Sequence, residues 1–255
     1  MDFSIKAVGD CAVKVQFLQD VTPQLNRKIK IFCNRITELN IGSAVEIVPA
    51  YNSVTIYYQP FKITYRDIYN KLKLINIDDS SCKPEKQQLI KVPVVYGGEY
   101  GPDLQGVAEY NNLSVKEVIE LHQKPDYLIY MLGFLPGFPY LGGLKTKLAT
   151  PRMENPRRSV SAGSVGIAYK QTGIYPVESP GGWNIIGRTP LRLVNLTNQV
   201  HPFLFEAGDL VRFYEVDEVE FLEMEEAAAA GKYNAKLEIL NRKGASANDQ
   251  QANRS

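Results

Sequence analysis

The chain has 255 residues, 44% of them hydrophobic, with 29 basic and 28 acidic side chains. That length suits one large or two small domains with a sizeable core. The near balance of charge excludes the global field that draws proteins to nucleic acid or anionic membranes, and no apolar run reaches membrane-spanning length. Cys11, Cys33 and Cys82 stand apart with no CxxC spacing, so they read as reduced thiols of a cytoplasmic protein. Met1–Lys6 has no basic region followed by an apolar run, and no signal peptide is expected.

Alternation predicts strands over 3–8 and 11–18, with Val13, Val15 and Phe17 on one face. Thr22 is an N-cap and Pro23 a first helical residue for a helix with the stripe Leu25, Ile29, Phe32, Ile36 and Leu39, stopped by Gly42. Cys33 lies beside that stripe and reads as a small buried hydrophobe. Strands follow over 45–48 and 54–58, then a helix capped by Thr64 that carries Ile68, Leu72 and Ile75. The polar, aperiodic residues 78–86 read as a linker. This ββαββα order predicts a small α+β domain over 1–85, with its helices on one face of an antiparallel sheet.

A strand over 89–96 leads into Gly97-Gly98-Glu99-Tyr100-Gly101-Pro102-Asp103 and a helix near 104–110. Gly97, Gly98 and Gly101 are candidate anion binders through their N–H groups; an ordinary turn is the competing reading. Ser114 and Glu117 form a capping box for a short helix with Val118 and Leu121 on its apolar face and His122 near its end. Past Pro125 come short runs over 127–131, 164–169, 183–186, 191–196 and 210–214, which suggest a barrel or a compact sandwich. Residues 216–243, rich in Glu and Ala at their start, are assigned to a C-terminal helix, and 244–255 to a disordered tail.

The segment Tyr130–Pro190 holds about half of the glycines and nearly half of the prolines. Chemistry is constrained by what is missing. With His122 and His201 the only histidines, no HExxH and no paired cysteines, a multi-histidine metal site is not available. There is no GxxxxGK[ST] and no GxSxG; Ser164 in Ala162-Gly163-Ser164-Val165-Gly166 precedes an alternating strand, against the hydrolase elbow. Arg152, Arg157, Arg158 and Arg188 offer forks for carboxylate or phosphate, or pair with internal carboxylates. Phe134, Phe138, Tyr140, Tyr175 and Trp183 wall a pocket or fill a barrel core. His122 is a general base or a helix-end cap.

A series of ordered blocks carries a resemblance. They are Gly133-Phe134-Leu135-Pro136-Gly137-Phe138-Pro139-Tyr140-Leu141-Gly142-Gly143, Ala162-Gly163-Ser164-Val165-Gly166-Ile167-Ala168, Gln171-Thr172-Gly173-Ile174-Tyr175-Pro176, Ser179-Pro180-Gly181-Gly182-Trp183 and Gly187-Arg188-Thr189-Pro190. Together with Val92–Leu104 they resemble the allophanate hydrolase subunit 1 family, which includes the B subunit of bacterial ATP-dependent 5-oxoprolinase and the kinase A inhibitor. Ser161 stands where that family usually has proline.

The resemblance implies an α+β N-terminal domain followed by a mainly β, cyclophilin-like barrel over 86–215. It implies a non-autonomous subunit that works with A-type and C-type chains and, through the complex, with ATP, to open 5-oxo-L-proline to L-glutamate. The alternatives are an inhibitor of a sensor histidine kinase and a urea- or allophanate-processing subunit. Under the first reading the catalytic candidates are His122 and Arg157. The substrate-binding candidates are Arg188, Gln171, Tyr175, Phe138 and Trp183, and the anion-binding candidates are Gly97, Gly98 and Gly101.

Overall fold

A computed structural model describes residues 3–39, 44–77, 86–197, 202–230 and 236–241. The chain divides into two compact units, Met1–Lys86 with Asn241–Ser255, and Gln87–Leu240.

In the first unit, β1 (Phe3–Val8), β2 (Ala12–Phe17), β3 (Ala44–Pro49) and β4 (Ser53–Tyr58) form an antiparallel sheet in the order β1-β2-β4-β3. Helices α1 (Pro23–Glu38) and α2 (Tyr65–Lys73) start where the caps predict: Thr22 and Thr64 each accept a backbone N–H three residues on. The alternating Val13, Val15 and Phe17 meet Leu25, Ile29, Phe32, Ile68 and Leu72 in one buried cluster. Phe17 and Phe32 pack edge to face with centroids 5.5 Å apart, and each such fully buried side chain contributes about 1.5–3 kcal/mol. Burial pushes the Cys33 thiol up to about 12, which keeps it protonated and inert. Gly42 and residues 78–85 of the linker assigned to 78–86 lie outside the described residues, and Lys86 opens a strand.

The second unit is a closed barrel. Its strands are β5 (Lys86–Tyr96), β6 (Tyr127–Leu132), β7 (Pro139–Gly142), β9 (Ser164–Ala168), β10 (Gln171–Ile174), β12 (Asn184–Arg188) and β13 (Leu210–Glu215). They run β12-β9-β10-β7-β6-β13-β5, and β12 pairs back onto β5 to close the ring. A two-stranded ribbon, β8 (Arg157–Val160) with β11 (Ser179–Gly181), stands beside it. Helices α3 (Leu104–Tyr110) and α4 (Val115–Gln123) add Leu104, Val107 and Val118 to the core formed by Val92, Ile129, Val165 and Phe213. The capping box of Ser114 and Glu117 is formed in both directions.

Three expectations differ from the structure. Residues 191–196 are not a strand: Leu191 and Leu193 are buried, but the backbone makes only an isolated bridge, Val194 to Phe203. Their alternation serves packing into the barrel without a ladder. The helix assigned to 216–243 spans only Glu218–Ala229 (α5). Lys236–Asn241 forms strand β14 beside β5. Third, β7, β8, β10 and β11, each three or four residues long, lie in the glycine- and proline-rich segment outside the runs over 164–169 and 183–186 where strands were expected. The tail over 244–255 lies outside the described residues.

Candidate functional site

A cleft of about 400 Å³ opens on the barrel unit, and Arg157 and Arg188 both line it, with Tyr100, Ser164, Phe221 and Glu225. The two arginines come from different elements, β8 and β12, 31 positions apart in sequence. What brings them together is the turn at 97–103. Gly97 and Gly98 take left-handed backbone at the end of β5, with φ of +73° and +54°. Gly97 N–H donates to the Ile186 carbonyl (3.1 Å) and Asp103 N–H to that of Ile185 (2.9 Å). Gly101 packs so tightly against the Ile186 carbonyl that a Cβ would collide with it.

Asp103 completes this link. Its Oδ2 accepts the N–H of Ile185 at 2.6 Å, and its Oδ1 accepts Nη2 of Arg157 at 2.6 Å. Arg157 is thereby held against the turn with its other terminal nitrogen facing the sulfur of Met153. Arg188 is held differently. Its Nε donates to the Ala162 carbonyl (3.0 Å), its Nη2 meets Glu225 of α5 at 3.2 Å, and it lies over the Phe221 ring.

The expected anion site on the glycines is not formed in the expected way. The N–H of Gly97 is engaged by Ile186, and that of Gly101 by the Gly97 carbonyl at 2.7 Å. One of the three donors is therefore committed to β12 and one to the turn itself, and the turn presents Tyr100 to the cleft. Nothing lies within 4 Å of a Cβ built on Gly98.

His122 is not in the cleft. It is fully buried, stacked on Phe213 with centroids 4.5 Å apart. Its Nδ1 lies 2.8 Å from the Tyr96 hydroxyl and its Nε2 3.0 Å from Thr172 Oγ1, which donates to the Gly166 carbonyl. Since the Thr172 proton is committed to Gly166, Nε2–H is the donor to Thr172 and Nδ1 accepts from Tyr96. Burial pushes the imidazole down to about 3. A general base needs reach to its proton; a neutral, enclosed ring with both nitrogens engaged is instead a polar cross-link of the core.

Phe138, Tyr175 and Trp183 are also buried, clustered with Val160 and Ile185. Phe138 stands edge to face with Tyr175 (5.3 Å) and Trp183 (5.5 Å). Burial raises the Tyr175 phenol above its ordinary value and so favours its protonated form. Val160 and Ile185 belong both to this cluster and to the cleft wall, so the aromatic residues back the cleft without facing into it. Gln171 lies in β10 and is not among the cleft residues. Asp103, Tyr100, Phe221 and Glu225 were not singled out from sequence. Asp103 stands at the N-cap position of α3, yet its side chain makes no cap bond.

Residues 3–205 match the model of the carboxyltransferase domain, subdomain C and D. The chain belongs to this family. Within it, the chain is 39% identical over 233 residues to the B subunit of 5-oxoprolinase from Bacillus subtilis, covering 86% of this chain and 95% of that one. It is 40% identical over 206 residues to the B subunit of 5-oxoprolinase from Escherichia coli O157:H7, covering 81% and 93%. The urea amidolyase of Lachancea kluyveri is 28% identical over 91% of this chain, which corresponds to 14% of that protein. Among solved structures, TTHA0988 aligns with a TM-score of 0.71 at 34% identity over 81% of this chain; the match spans only 40% of that longer chain. The Kluyveromyces lactis urea amidolyase aligns with a TM-score of 0.77 over 93% of this chain and 16% of its own, at 20% identity. That likeness bears on the fold alone.

Proposed function

We propose that this chain is the B subunit of an ATP-dependent 5-oxoprolinase, a non-autonomous part of an amidohydrolase that converts 5-oxo-L-proline to L-glutamate. The observation that carries the reading is the match to 5-oxoprolinase B subunits at 38–40% identity over 93–96% of their lengths. The reading includes a small α+β domain followed by a cyclophilin-like barrel. The four-stranded sheet with its two helices and the closed seven-strand ring support that layout. It also includes A-type and C-type partner chains. Among the described residues no helix is long and apolar enough to cross a membrane.

The cleft suits binding and orientation. The substrate carries a carboxylate and a lactam oxygen, and guanidinium forks match carboxylates with two parallel bonds. Arg188 is the residue for the carboxylate. Arg157, fixed by Asp103, faces the place where charge builds on the lactam oxygen, and a preorganised donor stabilises such charge more in the reacting state than in the ground state. Val160 and Ile185, backed by the aromatic cluster, form the apolar wall.

ATP is a substrate of the complex under this reading, and the glycine turn at 97–101 is not assigned to its phosphates. The turn's N–H groups at Gly97 and Gly101 are engaged internally, and the helix behind it has seven residues. No nucleotide step is assigned to its residues. The test is reconstitution. Purified A-type and C-type chains are mixed with this one, 5-oxoproline and ATP, and glutamate is measured. Glutamate formation should require this chain; unchanged formation in its absence overturns the reading.

A further inference from the structure

The two arginines of the cleft differ in how firmly their partners hold them. Arg157 and Asp103 meet at 2.6 Å with side chains 28% and 16% exposed. Asp103 is itself anchored at the Ile185 N–H. Arg188 and Glu225 meet at 3.2 Å, with 32% and 43% exposure, through Nη2 alone. A charge-assisted N–H to carboxylate bond is typically about 2.7–2.9 Å. The second contact is long, one-pronged and wet, and a pair of that kind contributes little.

Helix α5 explains why Glu225 is there at all. Its first half is anchored: Asp217 and Glu220 form a capping box, Phe221 is fully buried with Val95 and Val216, and Glu218 accepts the Tyr100 hydroxyl at 3.1 Å. Its second half lies over the cleft margin, and no basic residue in the last turn offsets the helix dipole. Carboxylates at Glu225 and Glu226 lie in that half, and negative charge toward a helix C-terminus is unfavourable. Arg188 is the cation that Glu225 finds.

We infer that Glu225 is an internal stand-in for a ligand carboxylate: a small carboxylic acid binds this cleft by displacing Glu225 from Arg188. The Nε edge of Arg188 is fixed by the Ala162 carbonyl, so the fork open to exchange is the pair of terminal nitrogens. An incoming carboxylate takes both, where Glu225 takes one. The anchored first half of α5 keeps the displaced glutamate close, so Glu225 sets the threshold concentration at which the acid is taken up. The inference rests on the 5-oxoprolinase reading for its choice of acid and goes beyond it in naming the competitor.

The full chain is titrated calorimetrically with 5-oxoproline and with 2-pyrrolidinone, the same lactam without its carboxylate. Wild type, Glu225→Gln, Arg188→Lys and the double variant are compared, with melting temperatures as a check on folding. Glu225→Gln should tighten 5-oxoproline by about two- to five-fold and leave 2-pyrrolidinone unchanged. Arg188→Lys should weaken 5-oxoproline by about ten-fold, with or without Glu225→Gln. Equal affinity of wild type and Glu225→Gln, an equal gain for 2-pyrrolidinone, or no binding of 5-oxoproline by any variant overturns the inference. Glutamate formation that does not need this chain overturns the 5-oxoprolinase reading instead, and the titration still decides the role of Glu225.

Discussion

Asp103 and Arg157, 54 positions apart, are joined by a 2.6 Å bond that ties the turn after the first barrel strand to the ribbon bordering the cleft. The same carboxylate accepts the Ile185 N–H. Removing it therefore unpairs a backbone donor and a guanidinium together. Asp103→Ala should destabilise the chain by about 2–4 kcal/mol, the range for a buried donor left without its acceptor plus a partly buried ion pair. Asp103→Asn keeps an acceptor of the same shape and should lose about half as much. Urea unfolding of both variants checks the order. If Asn and Ala are equivalent, the charge on Asp103 matters and its geometry does not.

The turn makes a second contrast. At Gly101 a Cβ would strike the Ile186 carbonyl, whereas at Gly98 it would meet open space. Gly101→Ala must push β12 away from β5 at the place where the barrel closes, and overpacking of this sort costs about 1–3 kcal/mol. Gly98→Ala keeps the contacts and meets only the left-handed backbone cost, about 1–2 kcal/mol. Thermal melts should place Gly101→Ala below Gly98→Ala. The opposite order would mean that backbone conformation, not close approach, explains the glycines of this turn.

Much of this was legible in local signals and little in distant ones. Helices α1, α2 and α4 announce themselves by Thr22, Thr64 and the Ser114–Glu117 box because capping acts within one turn. Strands β7, β8, β10 and β11 did not, since three or four residues interrupted by Gly and Pro leave no window for an alternation. The arginines at 157 and 188 were recognisable as candidate forks, and the structure does bring both to one cleft. Their partners were not legible: Asp103 and Glu225 lie 54 and 37 residues away, and no local pattern joins them. Phe138, Tyr175 and Trp183 looked like pocket walls for the same reason that they make a good core, since aromatic bulk serves either.

The aromatic cluster should accordingly report on stability first. Phe138 is fully buried and touches the rings of Tyr140, Tyr175 and Trp183. Phe138→Ala should cost about 3–5 kcal/mol, whereas Phe138→Leu, which keeps most of the volume, should cost clearly less. If both variants fold normally in circular dichroism and denaturant melts yet fail to bind 5-oxoproline, the cluster contacts ligand directly and its placement behind the wall is the wrong account.

The buried imidazole of His122 makes stability depend on pH in a known direction. Its folded value is lowered to about 3 by burial, while an unfolded histidine titrates near 6.5. Between these values the unfolded chain binds a proton that the folded chain refuses, so this group makes stability rise with pH. Its contribution is complete above about pH 6.5 and is lost progressively as pH falls toward 3, with a limiting slope of about 1.4 kcal/mol per pH unit. Carboxylates add their own acid dependence, so the difference between wild type and His122→Gln isolates the histidine. Glutamine can still donate toward Thr172 and accept from Tyr96, and it has no proton to gain. Unfolding free energies at pH 7, 6, 5 and 4 should converge for the two proteins as the pH falls, with the wild type losing more. Parallel profiles would show that His122 titrates normally in the folded chain and that water reaches the ring.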